Sequence, residues 1–71
     1  MPYEMEINDE PLAFLRKLPQ EERREIGFRL HQLQRNFTGD VAKLRGSQNE
    51  YRLRVGGRRI LFELRGSKMV I

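Results

Sequence analysis

The side chains with most chemical potential in this sequence are arginines, and they cluster in Glu50-Tyr51-Arg52-Leu53-Arg54-Val55-Gly56-Gly57-Arg58-Arg59-Ile60-Leu61-Phe62-Glu63-Leu64. A guanidinium stays charged and offers a planar fork to phosphate oxygens, so Arg52, Arg54 and Arg59 suit the stabilisation of negative charge on a phosphoryl group. Cleavage of RNA by its own 2′-hydroxyl needs more: deprotonation of the nucleophile and protonation of the leaving oxygen. Arginine performs those proton transfers poorly. His31, the only histidine, falls on the flank of a helical stretch away from the arginines and reads as a surface residue. The acidic residues show neither paired-carboxylate nor metal-ligand spacing, and Gly56-Gly57 lacks the strand-to-helix setting of a phosphate loop. No metal and no cofactor are expected.

A β-hairpin is the element that must position these arginines. Period-two alternation puts Tyr51, Leu53 and Val55 on one strand face and Arg52 and Arg54 on the other. Gly56-Gly57 supplies two positions of positive φ for a tight turn. The return strand places Ile60, Phe62 and Leu64 inward and Arg59, Leu61 and Glu63 outward. If one core takes both apolar faces, Arg52, Arg54 and Arg59 share the other surface, where cross-strand pairing with Glu4, Glu6, Glu50 or Glu63 competes with any anion.

Seventy-one residues make one small domain, spanning 1–71, with a thin margin of stability. The chain contains no cysteine, which suits a reducing, cytoplasmic compartment. No apolar run is long enough for a membrane span, and the first residues do not resemble a signal peptide. The net charge of +4 is unevenly spread: residues 1–40 hold six Lys/Arg against eight Asp/Glu, and residues 41–71 hold eight against two. A basic second half points to a polyanionic partner, nucleic acid before membrane.

Along the chain, Tyr3, Met5 and Ile7 alternate with Glu4 and Glu6 and predict a first strand. Asn8-Asp9-Glu10-Pro11 offers capping side chains and a first-turn proline, and Pro11, Phe14, Leu15 and Leu18 form the apolar stripe of a helix that Pro19 stops. Pro19 also suits the first turn of a second helix with the stripe Ile26, Leu30, Leu33 and Phe37. Gly27 inside it suggests a close contact, and Phe28 lies off the stripe. Gly39 sits near the left-handed position that ends a helix. Val41 to Gly46 reads as a short extended lead-in, and after the hairpin a turn at Arg65-Gly66-Ser67 precedes a final strand, Lys68 to Ile71. The fold class is therefore α+β with two layers: an N-terminal strand, an antiparallel helical hairpin, then a three-stranded antiparallel meander completing one sheet.

This order of elements, Leu18-Pro19 before the second helix, Lys43-Leu44-Arg45-Gly46, and above all the run Tyr51 to Phe62 resemble the RelE/ParE toxin superfamily of bacterial type II toxin–antitoxin systems. The resemblance spans nearly the whole chain without separating the branches. RelE-like members are ribosome-dependent, metal-independent mRNA endoribonucleases; ParE-like members inhibit DNA gyrase without catalysis. Carried over position by position, Arg52 and Arg54 match the basic pair of the first hairpin strand and Arg59 the arginine after the turn, which implies catalytic roles at the scissile phosphate. Lys43, Arg45 and Arg58 are then further phosphate or RNA contacts, with Arg58 standing where the family often has a tyrosine. The chain stops at Ile71, before the further arginine and terminal tyrosine or histidine of the ribonucleases, so it resembles a C-terminally short member. An inactive form that only binds antitoxin is the third reading. The implied partners are a cognate antitoxin, the ribosome and mRNA, or gyrase in the alternative. An apolar surface left where the sheet ends at Ile71 would suit a covering helix or strand of the antitoxin.

Overall fold

The computed structural model describes residues 2–71. The order of elements is β1 (Glu4–Glu6), α1 (Asp9–Arg16), α2 (Gln20–Asn36), β2 (Asp40–Lys43), β3 (Glu50–Val55), β4 (Arg58–Arg65) and β5 (Lys68–Val70). The fold is α+β, with two helices and one mixed five-stranded sheet in the order β1-β5-β4-β3-β2. The expected three-stranded meander is thus corrected to four consecutive antiparallel strands, because the lead-in after α2 is a full strand. Four residues are too short a run to show their period, and the pairing of Ala42 with Arg52 and of Leu44 N–H with the Glu50 carbonyl (2.8 Å) is long-range information. β1 runs parallel to β5 at the sheet edge.

The alternation of β3 and β4 turns one face of the sheet toward the helices. Val41, Leu53 and Ile60 stand in register on that face, as do Tyr51 with Phe62 and Leu64 with Met69. They join Leu18, Ile26, Leu30 and Leu33 in a single core whose fully buried side chains are Leu33, Leu53 and Met69. At one end Tyr51 stacks on Phe62 with ring centroids 5.5 Å apart, and Phe37 meets both edge-on while also contacting Tyr3. Both tyrosines are therefore packing residues on the helix side of the sheet.

Pro19 stands just before α2 and breaks the helical run, and the Arg23 guanidinium donates to the Arg16 carbonyl (3.2 Å) across the joint. Asn8 occupies the N-cap position of α1 but its side chain makes no capping bond. Several local expectations are corrected. Phe14 is 53% exposed rather than part of the buried stripe. The left-handed residue closing α2 is Phe37 (φ 53°), which turns its ring into the aromatic cluster; Gly39 follows at φ 134°. A Cβ on Gly27 would meet nothing within 4 Å, so no close contact requires that glycine. In the β3–β4 turn only Gly56 has positive φ (59°), the pattern of a type II′ hairpin, repeated by Gly66 (φ 59°) between β4 and β5. Ile71 is 8% exposed, its N–H bonded to the Glu6 carbonyl and its carbonyl to the Asn8 N–H. The apolar surface expected at Ile71 is thus already covered by the N-terminal segment, because β5 pairs with β1.

A candidate anion-binding face

Strand register brings Arg52, Arg54 and Arg59 together on the sheet face turned away from the helices. Arg54 stands directly opposite Arg59, and Arg52 opposite Leu61. The Leu64 N–H bonds back to the Asn49 carbonyl, and counting alternate pairs from there makes Arg54–Arg59 a non-hydrogen-bonded pair, in which the side chains lie closest. Like charges facing each other in this way destabilise a sheet unless a counter-charge is shared between them.

The protein supplies little counter-charge. On the other flank of Arg54 stands Asp40, whose carboxylate lies 3.5 Å from Arg52 and 3.9 Å from Arg54. The Arg52 guanidinium also donates to the Asp40 carbonyl oxygen (3.3 Å). Arg52 is thereby tucked in, with a side chain 19% exposed, whereas that of Arg54 is 52% exposed. Both Asp40 contacts are long and solvent-facing, worth at most about 1 kcal/mol each. Arg59 forms no salt bridge with any described residue, so the positive charge is least compensated on the β4 side.

Arg58, Lys43 and Arg45 lie apart from this cluster. Arg58 pairs with Val55 and shares its face, toward the helices. There it donates to Glu22 at 2.8 Å, and its guanidinium carbon lies 5.4 Å from the centre of the Phe14 ring. Lys43 is exposed at the outer edge of the sheet and pairs with Tyr51, on the side opposite Arg52 and Arg54. Arg45 is exposed in the loop between β2 and β3. Farther along the arginine face, Arg65 and Lys68 are also paired across strands, but they engage Glu63 (2.6 Å) and Glu6 (3.6 Å).

Two features of the site have no local signal. Asp40 reads as part of a helix-ending loop, and only the pairing of β2 with β3 carries its carboxylate to the arginines. Leu61 is 58% exposed beside Arg52 and Arg59, an apolar step on a charged face. No histidine or tyrosine shares this face: His31 is exposed on α2, and Tyr3 and Tyr51 belong to the aromatic cluster. Among the described residues, no group of three or more His, Cys, Asp or Glu side chains is placed to hold a metal ion. No described helix is long and apolar enough to cross a membrane. The arrangement can bind and neutralise a phosphate; the carboxylates of β2, β3 and β4 on the same face are Asp40, engaged by Arg52 and Arg54, and Glu50 and Glu63, which stand opposite each other next along the strands from Tyr51 and Phe62. No family model matches the chain, and comparisons with curated proteins and with solved structures return no match.

Proposed function

We propose that this chain is a RelE-like toxin of a type II toxin–antitoxin system, whose arginine face holds the backbone of ribosome-bound mRNA and whose action is checked by a cognate antitoxin. One observation carries the reading: Arg54 and Arg59 face each other across β3 and β4 while a single solvent-facing carboxylate serves Arg52 and Arg54 and none serves Arg59. A phosphate between them supplies the missing counter-charge with charge-assisted hydrogen bonds. The resemblance of the run Tyr51 to Phe62 to the toxin hairpin supports the choice of RNA.

The test is Arg59→Ala, measured by RNA affinity across a salt series and by cleavage of mRNA on ribosomes. Loss of one phosphate contact should weaken RNA binding and reduce the slope of log affinity against log salt by about one. Unchanged affinity and unchanged slope would sink the assignment.

A ParE-like inhibitor that acts on DNA gyrase by binding alone is the second reading, favoured by the absence of histidine and tyrosine from the arginine face. A supercoiling assay run beside the translation assay separates the two. Lost supercoiling with intact mRNA selects gyrase.

A further inference from the structure

The outward face of β3 and β4 carries two like-charged pairs of opposite sign. Arg54 stands across from Arg59 and Glu50 across from Glu63, with Arg52 and Leu61 midway between the two pairs. Both pairs belong to the non-hydrogen-bonded set, in which facing side chains lie closest, so each weakens the sheet unless opposite charge reaches it. Glu63 has such a supply, accepting from Arg65 at 2.6 Å and from Asn49 at 2.9 Å. Glu50 is exposed and forms no salt bridge with any described residue. Among the described residues the one counter-charge near Arg54 is Asp40, at 3.9 Å.

A half-turn about an axis running across the strands exchanges the two pairs. A rise of about 3.4 Å per residue sets them about 13 Å apart, with Arg52 and Leu61 on the axis. Two copies of the face laid together about that axis put Arg54 over Glu50 of the other copy and Arg59 over Glu63 of the other copy, twice over. Stacked sheets lie about 10 Å apart, a gap that arginine and glutamate side chains bridge together. Arg52 meets its own copy at the axis, and it is the arginine drawn aside: its guanidinium donates to the Asp40 carbonyl at 3.3 Å and its side chain is 19% exposed. Leu61 across from Arg52 and Ala42 beside it leave the rest of the axis row small and apolar.

We propose that the arginine face associates with the same face of a second copy of this chain, in a two-fold contact where Arg54 and Arg59 receive Glu50 and Glu63 of the other copy. A polyanion satisfies only the arginine end and is repelled by the glutamate end, and an acidic protein segment meets the same obstacle. The partner must carry both signs in reversed order, and the half-turn gives this face that order. The contact covers Arg54 and Arg59, so association and phosphate binding at this face exclude each other.

The register of β3 and β4 carries this association independently of the RNA reading, and it is measured on nucleic-acid-free protein, so either can fail alone. Sedimentation equilibrium at about 20 mM salt should show the average mass rising toward twice that of one chain, with half-association on the order of 100 µM. Salt at about 1 M should return the protein to monomer by screening exposed charges. Glu50→Arg and Arg54→Glu each set like charges against each other and should weaken association by about tenfold or more. Carrying both substitutions restores opposite charges across the axis and should bring association back to within about threefold of the unmodified chain. Both positions are exposed, so circular dichroism should report an intact fold, and the concentration and salt series of the unmodified chain needs no variant. Arg54→Glu also separates a specific contact from general repulsion: it lowers the net charge of +4, so general repulsion alone would make it associate more strongly. Four results would overturn the proposal: a monomer at every concentration in low salt; Arg54→Glu associating as well as the unmodified chain or better; a folded double variant that stays monomeric; or association that persists at about 1 M salt, which assigns it to an apolar surface.

Discussion

Gly39 and Gly27 make opposite demands on the backbone. Gly39 holds φ 134°, a conformation that side chains resist, and an added Cβ would lie 3.0 Å from Leu53 Cδ1. Gly27 sits in α2 with open space around it, so it contributes only the entropic cost of glycine in a helix. Gly39→Ala is therefore expected to destabilise by more than about 1 kcal/mol, and Gly27→Ala to stabilise by up to about 1 kcal/mol. Urea unfolding of the two variants checks both signs, and equal signs would show that local conformation does not govern either site. Gly27 suggests a close contact in sequence because a glycine inside a helix costs stability that tight packing can offset; its open surroundings are visible only in the folded chain.

Neighbouring arginines of one strand belong to different parts of the molecule. Arg58 and Arg59 are adjacent in β4, and the pleat sends Arg58 to Glu22 and Phe14 and Arg59 to the arginine face. Arg58 thus ties the β3–β4 turn to both helices, whereas Arg59 ties nothing within the protein. Arg58→Ala should lower stability by about 1 kcal/mol, with a coupling to Glu22→Ala of about 0.5 kcal/mol in a double-mutant cycle, since both side chains remain partly exposed. The same variant should change nucleic-acid affinity less than Arg59→Ala does. If Arg58→Ala weakens RNA binding as much as Arg59→Ala while stability stays unchanged, the assignment of faces is wrong. The hairpin itself was legible from its alternating residues. The partners of its arginines were not, because Asp40 and Glu22 are distant in sequence and reach them only through strand pairing and helix docking.

At the scale of the molecule, one core must hold 71 residues together. Domains of this size are stabilised by about 4–11 kcal/mol in total. Leu33 is fully buried between α2 and the sheet, and Leu33→Ala should cost about 2–5 kcal/mol, a large share of that margin. Thermal unfolding followed by circular dichroism should show a large fall in midpoint; a shift of only a degree or two would mean that the core is not the main support. Function draws on the opposite side of the same sheet. The face that carries no core is free to concentrate charge, and Arg54 and Arg59 stand opposite each other on it.

The sequence by itself determined which side chains share a face. Alternation is a property of extended backbone, so Leu53 and Val55 had to go inward once Arg52 and Arg54 went outward, and Gly56 marked the turn. The α+β class followed from helical stripes flanked by alternating strands. Tertiary structure alone decided the lanes: β2 is a full edge strand bringing Asp40 to the arginines, and β5 lies between β1 and β4. Pairing between strands far apart in the chain is settled by the shared core and by register, which no local period contains.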